Sequence, residues 1–361
     1  MLDPNRPLPD AVVIVLQQGA EMLDRGLRGP VKELAAFRDF GLLSAPLPVA
    51  NGGQDWGLSP NTASPLFKLL MAIGGISLPL ARLFEGHVNA VRLIHTNGTD
   101  DQKSRVFGKV RSGALLGVWG ADGPDPVRLS VEGSLSGQKI FASGIGYVAL
   151  AIVTATDEAE KHQMVLVETS DPARQSPEDW DVSAMVGSVS GGFDCSSINI
   201  TSSDTLGTTG AMFQEPDFHG GLWRLCACYA GAMRRIVKEL AARHASSPQP
   251  QDCLNRHRIG QAIICAQTSA HWAEAACTAA ECGNNMTTNA AIAHVLFARE
   301  AIEREAVRLF EIAERMGGTA THFRTHDIGR MIRDLRVYLR QAGLDNKLDY
   351  AVRLWLKTTV G

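Results

Sequence analysis

Two stretches with helical periodicity enclose a middle stretch that has none, and any fold for this chain must accommodate that order. In the C-terminal stretch, Leu222, Leu225, Cys226, Tyr229, Met233, Ile236, Val237 and Leu240 recur at spacings of three and four, one apolar face of a helix. A second stripe runs from Ile292 through Val295, Leu296, Ile302, Ala306, Leu309, Phe310 and Ala313 to Met316, ending at Gly317-Gly318. Between them lies an Ala-rich stretch, Ala262 to Ala280, whose small side chains allow helices to approach closely. Further helices are predicted around Ile328–Leu339 and from Asp345 onward. Long amphipathic helices joined by short loops make a bundle.

The N-terminal stretch is also helical. Pro30 opens a segment with Val31, Leu34 and Ala35 on one predicted face, stopped at Gly41. Thr99 and Gln102 have the spacing of a capping box. The middle stretch instead has short β-branched runs, Leu150–Thr154, Met164–Glu168 and Ser197–Thr201, punctuated by Gly and Ser. No helical pattern intervenes between these runs, which predicts an antiparallel β-domain rather than βαβ units. The expectation is an α+β protein with an N-terminal helical domain at 1–112, a small β-domain at 113–207 and a C-terminal helical bundle at 218–361.

Composition narrows the partners. With 35 Lys+Arg against 38 Asp+Glu, the net charge of −3 offers nothing to draw the chain onto nucleic acid or anionic lipid. No apolar run approaches the ~20 residues of a membrane span. The opening MLDPNRPLPD lacks an export pattern, so a cytoplasmic location is expected. Seven cysteines, an odd number with no CxxC pair, read as small core residues rather than a disulfide framework or zinc site. His322 and His326 flank a predicted loop, and no metal is expected there. A Rossmann GxGxxG, a P-loop and HExxH are all absent.

Several segments in order resemble the acyl-CoA dehydrogenase superfamily over essentially the full length. They are Phe40-Gly41-Leu42 with Pro48 and Gly52-Gly53; His87 followed by Thr96 to Lys103; Gly137-Gln138-Lys139-Ile140-Phe141-Ala142-Ser143-Gly144; and Gly317-Gly318 followed by Arg333-Asp334-Leu335-Arg336. The resemblance implies FAD bound between the β-domain and the bundle of a homodimer or homotetramer. It places Trp119 and Gly120, in Trp119-Gly120-Ala121-Asp122-Gly123, beside the flavin, with Asp122 on the substrate side. Phe141 stands where the family has an aromatic over the ring, and Ser143 where a hydroxyl faces its N5. The Gly317-Gly318 turn would approach a neighbouring subunit's FAD, and Arg224 lies near the family's nucleotide-binding arginine. The residues' own pattern also allows Phe141 to be a core side chain and Ser143 a turn hydroxyl.

Three departures bear on chemistry. The family's Thr-Glu-Pro run is replaced at 119–123, although backbone N–H groups around Gly120 could still serve the flavin's pyrimidine edge. The Arg–Phe pair that holds a neighbour's FAD pyrophosphate is missing from His244–Pro250, and Glu314 replaces the usual Gln. Most important, the Glu that removes the substrate α-proton aligns with Ala342, and its other location, Gly221 to Trp223, also lacks a carboxylate. Asp345 is the nearby acid, in a Gly-Leu-Asp-Asn run that reads first as a helix cap. Glu85 and the Glu215-Pro216-Asp217 linker read as solvated or helix-start acids, and Arg333, Asp334, Arg336 and Arg340 as surface ion pairs. The expected activity is an FAD-dependent oxidoreductase of acyl-CoA dehydrogenase type acting on a small molecule or acyl thioester. The alternatives are a flavin-dependent monooxygenase or oxidase on the same fold, and a non-catalytic dimeric descendant.

Overall fold

The computed structural model describes residues 1–246, 252–282, 286–341 and 343–359. Five helices come first: α1 (Asp10–Asp24), α2 (Val31–Asp39), α3 (Ala63–Gly74), α4 (Leu78–Asn97) and α5 (Asp100–Arg111). The strands all fall between 115 and 206: β1 (Leu115–Trp119), β2 (Arg128–Leu129), β3 (Leu135–Ser136), β4 (Gln138–Lys139), β5 (Val148–Asp157), β6 (His162–Glu168), β7 (Gln175–Ser176), β8 (Gly192–Asp194) and β9 (Thr205–Leu206). The last helices are α6 (Trp223–Ala245), α7 (Cys253–Cys282), α8 (Thr288–Gly317), α9 (Asp327–Tyr338) and α10 (Leu344–Thr359). No described helix is long and apolar enough to cross a membrane.

Local signals account for much of this. The Thr99 hydroxyl accepts from the Gln102 N–H while the Gln102 amide oxygen accepts from the Thr99 N–H, so the capping box starts α5 where the spacing predicts it. The predicted stripe of α6 is buried from Trp223 to Met233 and again at Ile236 and Leu240. On α2 the predicted face is shifted. Val31 is exposed, while Glu33, Ala36 and Phe37 are buried, because Arg28 clamps the Glu33 carboxylate and lets it face inward.

The β-domain is mixed rather than purely antiparallel. β1 and β2 both run parallel to β5, while β5–β6 and β6–β9 are antiparallel. A parallel pair needs a crossover connection. Here the irregular segment 120–147, carrying β2 to β4, supplies it without a helix, so a helix-free sequence did not guarantee antiparallel pairing. A second, three-stranded sheet has the order β4-β8-β7. The alternating run Ser197–Thr201 forms no strand. Its Asn199 makes one bridge to Ser134, and the positive φ of 61° at Ser197 breaks the ladder.

Two contacts position the site. His87, fully buried on α4, accepts the Leu116 N–H at Nδ1 (3.1 Å) and donates from Nε2 to the Leu43 carbonyl (2.8 Å). Burial, against the Leu43 bond, lowers its pKa to about 4, so a neutral imidazole ties α4 to β1. Helices α3 and α6 touch backbone to backbone. A Cβ on Gly74 would overlap the Cys228 carbonyl oxygen, and one on Gly231 that of Met71.

Candidate functional site

The end of β1 and the turn after β4 face the end of α9 across a cavity of about 580 Å³. Trp119, Gly120, Phe141 and Ser143 line it from the β-domain, and Val337 and Tyr338 from α9. The Trp119 ring is buried on Phe193 (5.1 Å between centroids), and its Nε1 donates to the Ser143 carbonyl (3.1 Å), tying the two segments together. Phe141 is not a core side chain. It is 59% exposed, stands edge-on to Trp180 at 6.1 Å, and has φ +54°. A bulky residue in the left-handed region costs on the order of 1–3 kcal/mol and is characteristic of ligand clamps.

Hydroxyls form the polar edge of this slot. Ser188 donates to the Met185 carbonyl (2.7 Å) and lies 2.9 Å from Ser190, whose hydroxyl reaches Ser143 at 3.2 Å. Met185 itself has a positive φ of 57°, and its N–H donates to Asp334 Oδ1 on α9 (2.6 Å). Asp334 is therefore buried beneath the slot rather than paired on the surface, and burial raises its pKa to about 6 against the nearby Arg330 charge. Its neighbours do form the predicted ion pairs, Arg333 with Asp24, Arg336 with Glu314 and Arg340 with Glu303.

A second cavity, about 260 Å³, adjoins the first; Arg82, Val118 and Gln341 line both. Its walls are charged. Arg82 pairs with Glu85 (2.7 Å), whose other oxygen accepts from Asn89. Asn89 accepts from Arg224 (3.2 Å), and Arg224 reaches Glu281 (3.2 Å). Glu281 also takes Trp223 Nε1 and Arg92 (both 2.8 Å), and Arg92 reaches Asp217 (2.7 Å). Glu85 is thus 3% exposed rather than solvated, and Asp217 serves α4 rather than a helix start. Sequence reasoning finds Arg224 but misses Arg92 and Glu281. Their partners lie 125 and 189 residues from Arg92 in the chain, beyond any local pattern.

Other expected site residues lie elsewhere. Asp122 lines neither cavity. Its carboxylate accepts from the buried Lys139 (2.5 Å) and from the Val127 N–H (3.0 Å), which pins the loop after Gly120. Lys139 also donates to Thr154 (3.0 Å), and burial lowers its pKa despite Asp122. Gly317 and Gly318 close α8, Gly318 with a positive φ of 56°, and line neither cavity. Asp345 is exposed in the first turn of α10, and there too it lines neither. Ala342 lies outside the described residues, as do residues 247–251.

The larger cavity fits a flavin ring. It is an apolar slot between aromatic side chains with hydroxyls at one edge, within the ~300–1,000 Å³ range of cofactor sites. A Cβ at Gly120 would meet nothing closer than Thr154 Oγ1 at 3.9 Å, so the backbone there lies open to a ligand.

No protein-family model matches this sequence, and no curated protein matches it. Solved structures do. FMN-bound TdsC from Paenibacillus sp. A11-2, a dibenzothiophene monooxygenase, superposes with a TM-score of 0.78 at 19% identity over 96% of each chain. KijD3 with FMN and a dTDP-sugar gives 0.84 at 16%, covering 96% of this chain and 92% of that one. Butyryl-CoA dehydrogenase from Megasphaera elsdenii gives 0.81 at 15%, covering 96% and 95%.

Proposed function

We propose that this chain, which has the acyl-CoA dehydrogenase fold, is a flavin-dependent oxidoreductase of the monooxygenase or oxidase kind rather than an α,β-dehydrogenase of acyl thioesters. The observation that carries the choice is the state of the carboxylates. The slot has none among its described lining residues, and the two lining the charged cavity, Glu85 and Asp217, are each clamped by an arginine. A general base must reach the proton it removes, and its loss typically forfeits ~10²–10⁴ in rate. Asp345, exposed at the start of α10, offers no replacement along the cavity walls.

A bound flavin would supply the electron-transfer chemistry. Trp119, Gly120 and Phe141 would hold its ring, and the Ser143 hydroxyl, itself held by Ser190, would present a hydrogen bond at the ring's edge. The substrate would enter the charged cavity, next to Arg82 and Gln341. FAD is the form that the sequence resemblance implies. The FMN in TdsC and KijD3 makes FMN the form to test beside it. A homodimer or homotetramer, with Gly317-Gly318 of one subunit approaching a neighbour's flavin, belongs to the same reading.

The test is direct. Protein incubated with FMN or FAD and then desalted should stay yellow with one of them, and Ser143→Phe should lose that colour while keeping its helical circular dichroism. Unchanged flavin content in Ser143→Phe would count against the placement. Anaerobic titration of the loaded protein with a set of acyl-CoAs should cause no rapid bleaching. Rapid bleaching by any of them would restore the dehydrogenase reading, and its loss in Asp345→Asn would identify the base.

A further inference from the structure

Gln341 stands in the wall that the two cavities share. Its backbone is fixed. The buried Arg299 on α8 donates from Nη2 to the carbonyls of Leu339 (2.8 Å) and Gln341 (2.9 Å), which caps the end of α9. Its side chain is half-buried, and among the described residues its amide makes no hydrogen bond. An amide has two N–H donors and an acceptor oxygen, so all of these are left to whatever occupies the cavities. The charged groups on the same walls differ. Arg82 binds Glu85, Arg92 binds Asp217 and Glu281, and Arg224 binds Glu281. Three cations meet three carboxylates, and the network needs no charged guest.

The rest of the smaller cavity is largely apolar, walled by Leu93, Val118, Met212, Phe218, Leu222 and Leu225. Its volume of about 260 Å³ accepts a single substituted ring or a short chain, since a cavity of ~150 Å³ already holds benzene. A carboxylate or ammonium brought there would lose its water and meet only charges that are already paired. A pure hydrocarbon would cover the Gln341 amide and leave it unpaired. We propose that Gln341 is a specificity-determining residue, selecting a compact neutral substrate with an apolar body and binding that substrate's carbonyl, amide or hydroxyl group at the boundary with the slot. The inference rests on the flavin reading in turning that group toward the ring; the recognition itself depends on Gln341 and the apolar wall.

The experiment compares benzamide with benzoate and toluene, three probes of one size that present a neutral polar group, a charge and neither. Binding is measured by calorimetry on the full chain, both flavin-free and FMN-loaded, and binding of FMN and FAD is measured separately by fluorescence quenching. Benzamide should bind at least tenfold more tightly than benzoate. In Gln341→Met, which keeps the length and removes the amide, benzamide should weaken at least fivefold while toluene does not weaken. A side chain that merely supports the wall would instead weaken all three probes together, and that result overturns the proposal. So does benzoate binding as tightly as benzamide, no binding of benzamide, or a benzamide-to-toluene ratio unchanged in Gln341→Met. If that variant does not fold by circular dichroism, Gln341→Glu carries the test. Its carboxylate should weaken benzoate at least tenfold relative to benzamide, and an unchanged ratio overturns the proposal. Should benzamide bind as expected while neither flavin binds, the flavin reading falls and the Gln341 site stands. Flavin binding with an unchanged probe ratio in the variant overturns the Gln341 site and leaves the flavin reading standing.

Discussion

The two adjoining cavities share three side chains and are otherwise built by opposite means. The slot is assembled from neighbouring turns of the β-domain and held by backbone and hydroxyl bonds, with strain stored at Phe141 and Met185. The charged cavity is assembled from α4, α6, α7 and the segment before α6, held by ion pairs between residues far apart in the chain. One is walled by aromatic side chains and hydroxyls, the other by charged groups.

Of the two, the charged cavity should be the less forgiving. Glu281→Gln should show this most strongly, since it leaves the half-buried Arg92 and the buried Arg224 short of charge. Breaking one partner of such a network costs about 3–5 kcal/mol, read by urea unfolding. A loss below about 1 kcal/mol would mean the network behaves like a surface pair.

The slot's largest response should be to pH, through Asp334. Its folded pKa of about 6 lies above the ordinary 3.8, so its favourable contribution is complete below pH 3.8 and is lost as pH rises through 6. Two units correspond to at most about 3 kcal/mol. His87, held near 4, has the opposite slope, with stability lost as pH falls from 6.5 through 4. The difference between wild type and Asp334→Asn isolates the aspartate, because His87 is common to both. Asn keeps an acceptor for the Met185 N–H, so relative to wild type the variant should gain stability from pH 4 to 7. A pH-independent difference would mean that Asp334 does not titrate in this range.

The smallest effect concerns Phe141. Asn adopts positive φ more readily, so Phe141→Asn should stabilise the fold by ~1 kcal/mol. It should also weaken flavin binding severalfold, since an aromatic contact is worth ~0.5–1.5 kcal/mol. Unchanged stability together with unchanged flavin affinity would mean that Phe141 is neither strained nor a wall of the ring site.

The same contrast decides what could be read from the residues alone. Helix stripes and the α5 capping box were legible because their causes lie within a few residues. The slot's Phe141 and Ser143 sit in a run that resembles a family pattern, while Trp119 and Gly120 are placed only by alignment, since the family's own residues are replaced there. Asp122 shows the limit of that match. It occupies the expected loop, but the buried Lys139 takes its side chain. Glu85 reads as solvated although its partner Arg82 lies three residues before it, and Arg92 is missed because its counter-charges come from Asp217, before α6, and from Glu281 on α7.

The glycines at the α3–α6 crossing give the charged cavity a mechanical property. Gly74 and Gly231 bring two main chains together with no side chains between them to act as a cushion. Cys228, at that crossing, lies one helical turn from Arg224. Arg224 therefore rides on a helix whose main chain is set directly against α3. One wall of the cavity is thereby pinned to an N-terminal helix, while α4, β1 and the segment before α6 make the walls that face it.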